Sequence, residues 1–158
     1  DVMDYSTLQE QCRAAEDRAV MYGFADVWQR PALVRGWSEF FMDMVERSDW
    51  AHAICRRFAE FYAEDYTRAQ EVAGGRIDLF YLISDLGSQR GPLISLATFR
   101  SFVAPYLRMM IDRIHELGAK VLYHTCGLVH PFIADLIGLE WTSSIPFSPW
   151  HPRCRLNA

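Results

Sequence analysis

Short apolar runs alternate along this chain with longer stretches in which apolar residues recur every three or four positions. The clearest run, "RIDLFYLIS" at 76–84, follows Gly74-Gly75 and ends at Asp85 and Gly87. Its shortness and continuity predict a strand buried on both faces of a parallel sheet. "KVLYHTC" at 120–126 repeats the pattern after Gly118, and "MYGFADVWQ" at 21–29 predicts an earlier strand or strand end. The intervening stretches predict helices. Over 35–47, Trp37, Phe41, Met44 and Val45 fall near one face. The next helix, capped by Ser48 or Asp49, carries a stripe of Trp50, Ile54, Phe58 and Phe61, and Gly74-Gly75 stop it. These aromatics read as core. From Ser95 as cap, Phe99, Phe102, Tyr106, Met110, Ile114 and Leu117 trace the inner face of a long helix. Pro105 removes a backbone donor inside it and predicts a bend over 101–105. His130-Pro131 opens a last helix running to 137, with proline tolerated in the first turn.

Strand, helix, strand, helix at this spacing predicts right-handed βαβ crossovers and a parallel α/β sheet, either doubly wound or part of a (β/α)8 barrel. No glycine fingerprint follows a strand, so a dinucleotide fold has no support. The length of 158 residues suits one domain. A net charge of −4, with 16 Lys and Arg spread along the chain, gives no footing for nucleic acid or an acidic membrane surface. No apolar run reaches the roughly 18 residues of a membrane span. The 4 cysteines, Cys12, Cys55, Cys126 and Cys154, are far apart and form no CxxC pair. That argues against a disulfide framework and for a reducing, cytoplasmic setting.

One strand end invites chemistry. In "VLYHTCG", His124 and Cys126 lie two apart, so in a strand they share a face with Leu122, while Tyr123 and Thr125 point the other way. Both sit at the carboxyl end of their strand, the rim where parallel α/β folds keep their active sites. Asp85 takes the matching place after "DLFYLIS", so three polar groups from two strand ends can converge. Imidazole and thiolate are good zinc ligands, but the pair supplies only two of the three or four protein ligands such a site needs. A packed strand end accounts for the pair as well. A Cys–His nucleophile is less attractive, because parallel neighbours lack a third orienting group.

The stretch "SDLGSQRGPLISLATFRSFVAPYLRMMIDRIHELGAKVLYHTCGLVHPFIADLI" resembles the uroporphyrinogen decarboxylase family, which includes zinc-dependent corrinoid methyltransferases. The resemblance rests on D-L-G-x-Q-x-G-P-L-I-S, on F-x-x-F-x-x-P-Y with its proline, and on H-x-C-G, with weaker agreement back through "LVRGWSEFFMDM". It implies a TIM-type barrel, of which this chain would supply a central segment at 1–139, about half. In the methyltransferase branch, the His and Cys of H-x-C bind zinc together with a distant downstream Cys, and the metal holds a thiol substrate as thiolate. Carried over, His124 and Cys126 are metal ligands and Asp85 supports catalysis or the metal site. Ser84 departs from the acidic pair often found before that position. Gln89 and Arg90, in the rim loop, would bind a carboxylate or a corrinoid side chain, or else lie in a solvated loop. The other branch removes acetate carboxylates from uroporphyrinogen III without a metal, and would leave the H-x-C pair structural. A third outcome is an inactive, truncated piece. Expected partners are a small-molecule or corrinoid-protein substrate and, at full length, a second copy in a homodimer. The open sheet edges of half a barrel would make the piece aggregation-prone.

The tail departs from the family. "EWTSSIPFSPWHPRCRLNA", from 140 to 158, shows no periodicity. Codons for 140–154 can, one base out of frame, encode G-V-D-I-L-N-P-I-Q-P-V-A-P-Q-M, the segment the resemblance implies next. A one-nucleotide deletion near Leu139 would explain this, and would make Cys154 and His151 accidental rather than ligands. Elsewhere, Tyr81 has inward parity with Asp85, and Tyr123 packs between sheet and helices. His52 and His115 read as helix-surface residues, His130 as a cap, and "AEDY" at 63–66 as a solvated acidic face.

Overall fold

The computed structural model describes residues 3–15, 17–139 and 143–144. After a short helix α1 (Leu8–Ala14) comes strand β1 (Met21–Ala25), followed by α2 (Gln29–Arg35), α3 (Trp37–Glu46) and the long α4 (Ser48–Val72). Strand β2 (Leu79–Ile83), helices α5 (Leu96–Phe102) and α6 (Ala104–Glu116) and strand β3 (Lys120–His124) follow. A 3-10 turn (His130–Phe132) leads into α7 (Ile133–Ile137), and Ser143–Ser144 form a two-residue β4. All neighbouring strands pair in parallel, in the spatial order β1-β2-β3-β4. A doubly wound sheet reverses its strand order at a switch point. This sheet advances in one direction, as successive βα units of a barrel do, so the choice left open by the sequence falls to the barrel type.

The strands are not covered on both faces as the apolar runs predict. Phe80 and Leu82 of β2 and Val121 and Tyr123 of β3 are buried, while their neighbours Leu79, Tyr81, Ile83, Leu122 and His124 are half-buried. The buried set packs beneath the helical layer. The half-buried set lines the opposite face, the interior side in a barrel, which among the described residues carries no second layer.

β1 and β2 are joined by more than their ladder. Their register shifts between Tyr22 and Ala25, and Tyr66 of α4 occupies the gap. Its hydroxyl accepts from Ala25 N at 3.0 Å and donates to Tyr81 O at 2.6 Å, and its ring stacks on Phe80 at 4.5 Å between centroids. Backbone groups displaced from the ladder are thus satisfied by one side chain. Gly23, at φ 98°, makes room: a Cβ there would collide with the Tyr66 hydroxyl and ring.

The helical layer corrects four expectations. α4 buries Ala51, Cys55, Ala59, Tyr66 and Ala69, while Trp50 and Phe61 are exposed. Small residues let a helix approach its neighbours closely, so Trp50 and Phe61 turn outward, while Phe58 stays half-buried and Ile54, also half-buried, packs against the core. α3 likewise buries Phe40 and Met44, leaving Val45 and Phe41 exposed. No side chain caps α4; Arg47 precedes it and lays its guanidinium 5.5 Å from the centre of the Trp50 ring. The acidic run is not solvated throughout. Asp65 is buried and accepts from Tyr5 Oη at 2.7 Å and Tyr22 Oη at 3.0 Å. The cap of α5 is as expected. Ser95 Oγ accepts from Thr98 N at 3.0 Å at the start of α5. The expected long helix breaks at Val103, with Pro105 in the first turn of α6, where its missing N–H costs nothing.

Candidate metal centre

The register of β2 with β3 sets Ile83 opposite His124, and Ser84 N continues the ladder to His124 O at 3.0 Å. Asp85 therefore leaves β2 beside the segment carrying His124 and Cys126. Its Oδ1 accepts from Cys126 N at 2.9 Å and lies 3.8 Å from His124 Nε2. His124 Nε2 lies 3.0 Å from Cys126 Sγ. One donor atom from each of the three residues fits within 4.8 Å of the others, and all three residues are half-buried. Convergence at the rim, expected from strand parity, is what the fold delivers.

The two loops bearing these groups are fastened to each other. Leu86 N donates to Thr125 Oγ1 at 3.1 Å, and Leu128 N donates to Ser88 O at 2.9 Å. Gly127, at φ 81°, lies backbone to backbone on Gly87, with no space for a Cβ at either residue. Ser88 Oγ in turn binds Arg90 N, Gly91 N and Gly91 O, tightening the turn.

Electrostatically the thiol is held in its acid form: burial raises the Cys126 pKa, and the neighbouring Asp85 carboxylate raises it further. A bound cation would invert both effects. The donor set suits zinc. In a tetrahedral site, nitrogen and sulfur ligands about 2.0 and 2.3 Å from the metal are separated by roughly 3.5 Å. The His124 Nε2–Cys126 Sγ spacing of 3.0 Å is about half an ångström short of that figure. Imidazole nitrogen and thiolate sulfur, with a carboxylate oxygen close by, are donor types that zinc takes.

A family model described as uroporphyrinogen decarboxylase (URO-D) matches residues 13–146. The chain belongs to this family. Among solved structures it is similar to a methyltransferase from Methanosarcina mazei, with a TM-score of 0.66 and 16% identity over 85% of this chain. At that identity the likeness shows the fold, and the chain spans 39% of that protein's length. A comparison with curated proteins returns no match. Among the described residues no helix is long and apolar enough to cross a membrane.

Within this uroporphyrinogen decarboxylase family chain, the other candidate residues distribute unevenly. Gln89 and Arg90 are exposed in the loop after β2, and neither side chain bonds to the three donors. Tyr81 does face the site, its ring centroid 6.4 Å from that of His124. Tyr123 is buried and donates to Ser84 O at 3.3 Å. His115 is exposed as expected. His52 is not a simple surface residue: it stacks on Phe102 at 4.3 Å, and its Nδ1 lies 2.9 Å from Tyr106 Oη. His130 is exposed and makes no capping bond. Cys154 and His151 lie outside the described residues. Two residues escaped sequence reasoning, Asp26 and Gln29. Asp26 is buried, which raises its carboxyl pKa against the lowering effect of the donors around it. Gln29 Oε1 accepts from Asp85 N at 3.0 Å. A lone polar residue after "MYGFA" was the available signal, and it carries no spacing to mark it.

Proposed function

We propose that this chain carries the metal-binding part of a thiol-methylating enzyme, in which His124 and Cys126 hold zinc and Asp85 supports them. The observation that carries the reading is the convergence of the Asp85, His124 and Cys126 donor atoms within 4.8 Å at the strand rim. A bound zinc ion supplies positive charge that favours the thiolate over the thiol form of a substrate. His124 presents Nε2 to the centre, and Asp85 fixes the Cys126 amide and hence the origin of its side chain. Leu122 and Tyr81, on the same face, offer an apolar wall for the carbon chain of the thiol. The acceptor thiolate takes a methyl group from a methyl-corrinoid: a sulfur–carbon bond forms as the cobalt–carbon bond breaks, and cobalt keeps the electron pair. A corrinoid protein is the macromolecular partner in this reading, nucleic acid and membrane are not, and the full-length enzyme is a homodimer. The unpaired cysteines suit the cytoplasm. The third protein ligand of the family lies downstream, and sequencing the coding DNA around Leu139 tests whether a shifted frame hides it.

Elemental analysis of the purified protein checks the zinc reading. One zinc per chain, lost in His124→Ala and in Cys126→Ser with the fold retained, is the expected outcome. A protein that stays metal-free in zinc-supplemented medium would refute it. A second reading, decarboxylation of uroporphyrinogen III, is favoured by the description of the matched family model. Turnover of that tetrapyrrole after exhaustive chelation would select it.

A further inference from the structure

The hydrogen bonds at the carboxyl rim form a directed series that begins outside the metal centre. Asp26 Oδ1, just past β1, accepts from Trp28 N at 2.9 Å, from Gln29 N at 2.8 Å and from Ser84 Oγ at 3.1 Å. These bonds fix the turn into α2 and tie it to the end of β2. The turn directs the Gln29 amide to Asp85, whose N–H it accepts at 3.0 Å. The Asp85 carboxylate then accepts the Cys126 N–H. Three strand ends are thus linked in order, and the series terminates at two of the three donor residues. Asp85 N needs this partner because β1, whose register with β2 shifts before Ala25, does not supply one there.

We infer that Gln29, held by Asp26, is a positioning residue that orients Asp85 and, through it, the Cys126 donor. The metal part of this inference rests on the zinc reading above; the orienting part does not. Partners one shell beyond metal ligands typically change affinity ten- to a hundredfold when removed.

The test compares the parent chain with Gln29→Leu, which removes the acceptor, and Gln29→Glu, which keeps an acceptor oxygen. Gln29→Ser, too short to reach Asp85 and tolerated at a helix start, replaces Gln29→Leu should that variant not fold. Amide hydrogen exchange is read residue by residue in the metal-free proteins. Exchange at Cys126 is expected to quicken about five- to tenfold in Gln29→Leu and to return toward the parent rate in Gln29→Glu. Amides of Phe80 and Val121, deep in the sheet, keep their rates. Titration with Co²⁺ alone, followed by its thiolate absorption band, is expected to show about tenfold weaker binding in Gln29→Leu. An unchanged Cys126 exchange rate, or an equal acceleration across the sheet, overturns the positioning role. If the parent binds no Co²⁺ or Zn²⁺, the zinc reading fails by itself, and the exchange data still decide the role of Gln29.

Discussion

Two glutamines brace opposite ends of the same strands, and their surroundings differ in kind. At the amino end, Gln70 of α4 is buried; its amide donates to Ile77 O at 3.1 Å and Leu117 O at 3.2 Å and accepts from Ile77 N at 3.1 Å. It closes backbone groups that would otherwise lie buried and unpaired. At the carboxyl end, Gln29 touches Asp85 of the candidate metal centre. The glycines diverge in the same way. Gly74, Gly75 and Gly118 at the amino end have φ between 64° and 78° and nothing within 4 Å of where a Cβ would stand, so they only reverse the chain. Gly87 and Gly127 at the carboxyl end are pressed against neighbouring backbone. One end is built to turn the chain, the other to hold atoms in place.

This contrast can be broken by substitution. The largest effect is expected from Gly127→Ala, where a positive φ and a backbone collision act together. A loss of about 3 kcal/mol or more is expected in denaturant unfolding, with metal uptake lost although every donor remains. Gln70→Ala comes next, at about 2–3 kcal/mol, because it strands both polar groups of Ile77. Its Co²⁺ affinity, measured by titration of the folded protein, is expected to match the parent, the reverse of the Gln29→Leu pattern. Equal effects of the two glutamines on affinity would erase the distinction between the ends. Tyr66→Phe removes one acceptor and one donor at the β1–β2 junction and keeps the stacked ring; about 1–2 kcal/mol is expected, read in urea. The smallest effect belongs to Gly118. Gly118→Ala is expected to cost about 1 kcal/mol for its left-handed backbone alone, and Gly118→Asn less, by thermal denaturation.

The sequence made the strands and the His124–Cys126 pair readable because those signals are local. Continuous apolar runs mark β2 and β3, and a two-residue spacing settles which side chains share a face. The resemblance to the family turned that rim from permitted into expected, and Asp85 arrived where parity placed it. What was misread depended on distant partners. The inward face of α4 is set by how closely a helix packs, so Ala51, Cys55 and Ala59 took the place assigned to Trp50 and Phe61. Asp65 looked like solvated charge because the hydroxyls that satisfy it come from Tyr5 and Tyr22, 60 and 43 residues away. Gln29 was invisible for the same reason, since its partner is 56 residues off.

The backbone-to-backbone seat of Gly127 on Gly87 has a practical corollary. No side chain mediates that contact, so exchanging His124 leaves it untouched. His124→Cys would shift metal preference along the softness series while Asp85 still holds the Cys126 amide, which makes this rim a natural place to install chemistry that the parent lacks.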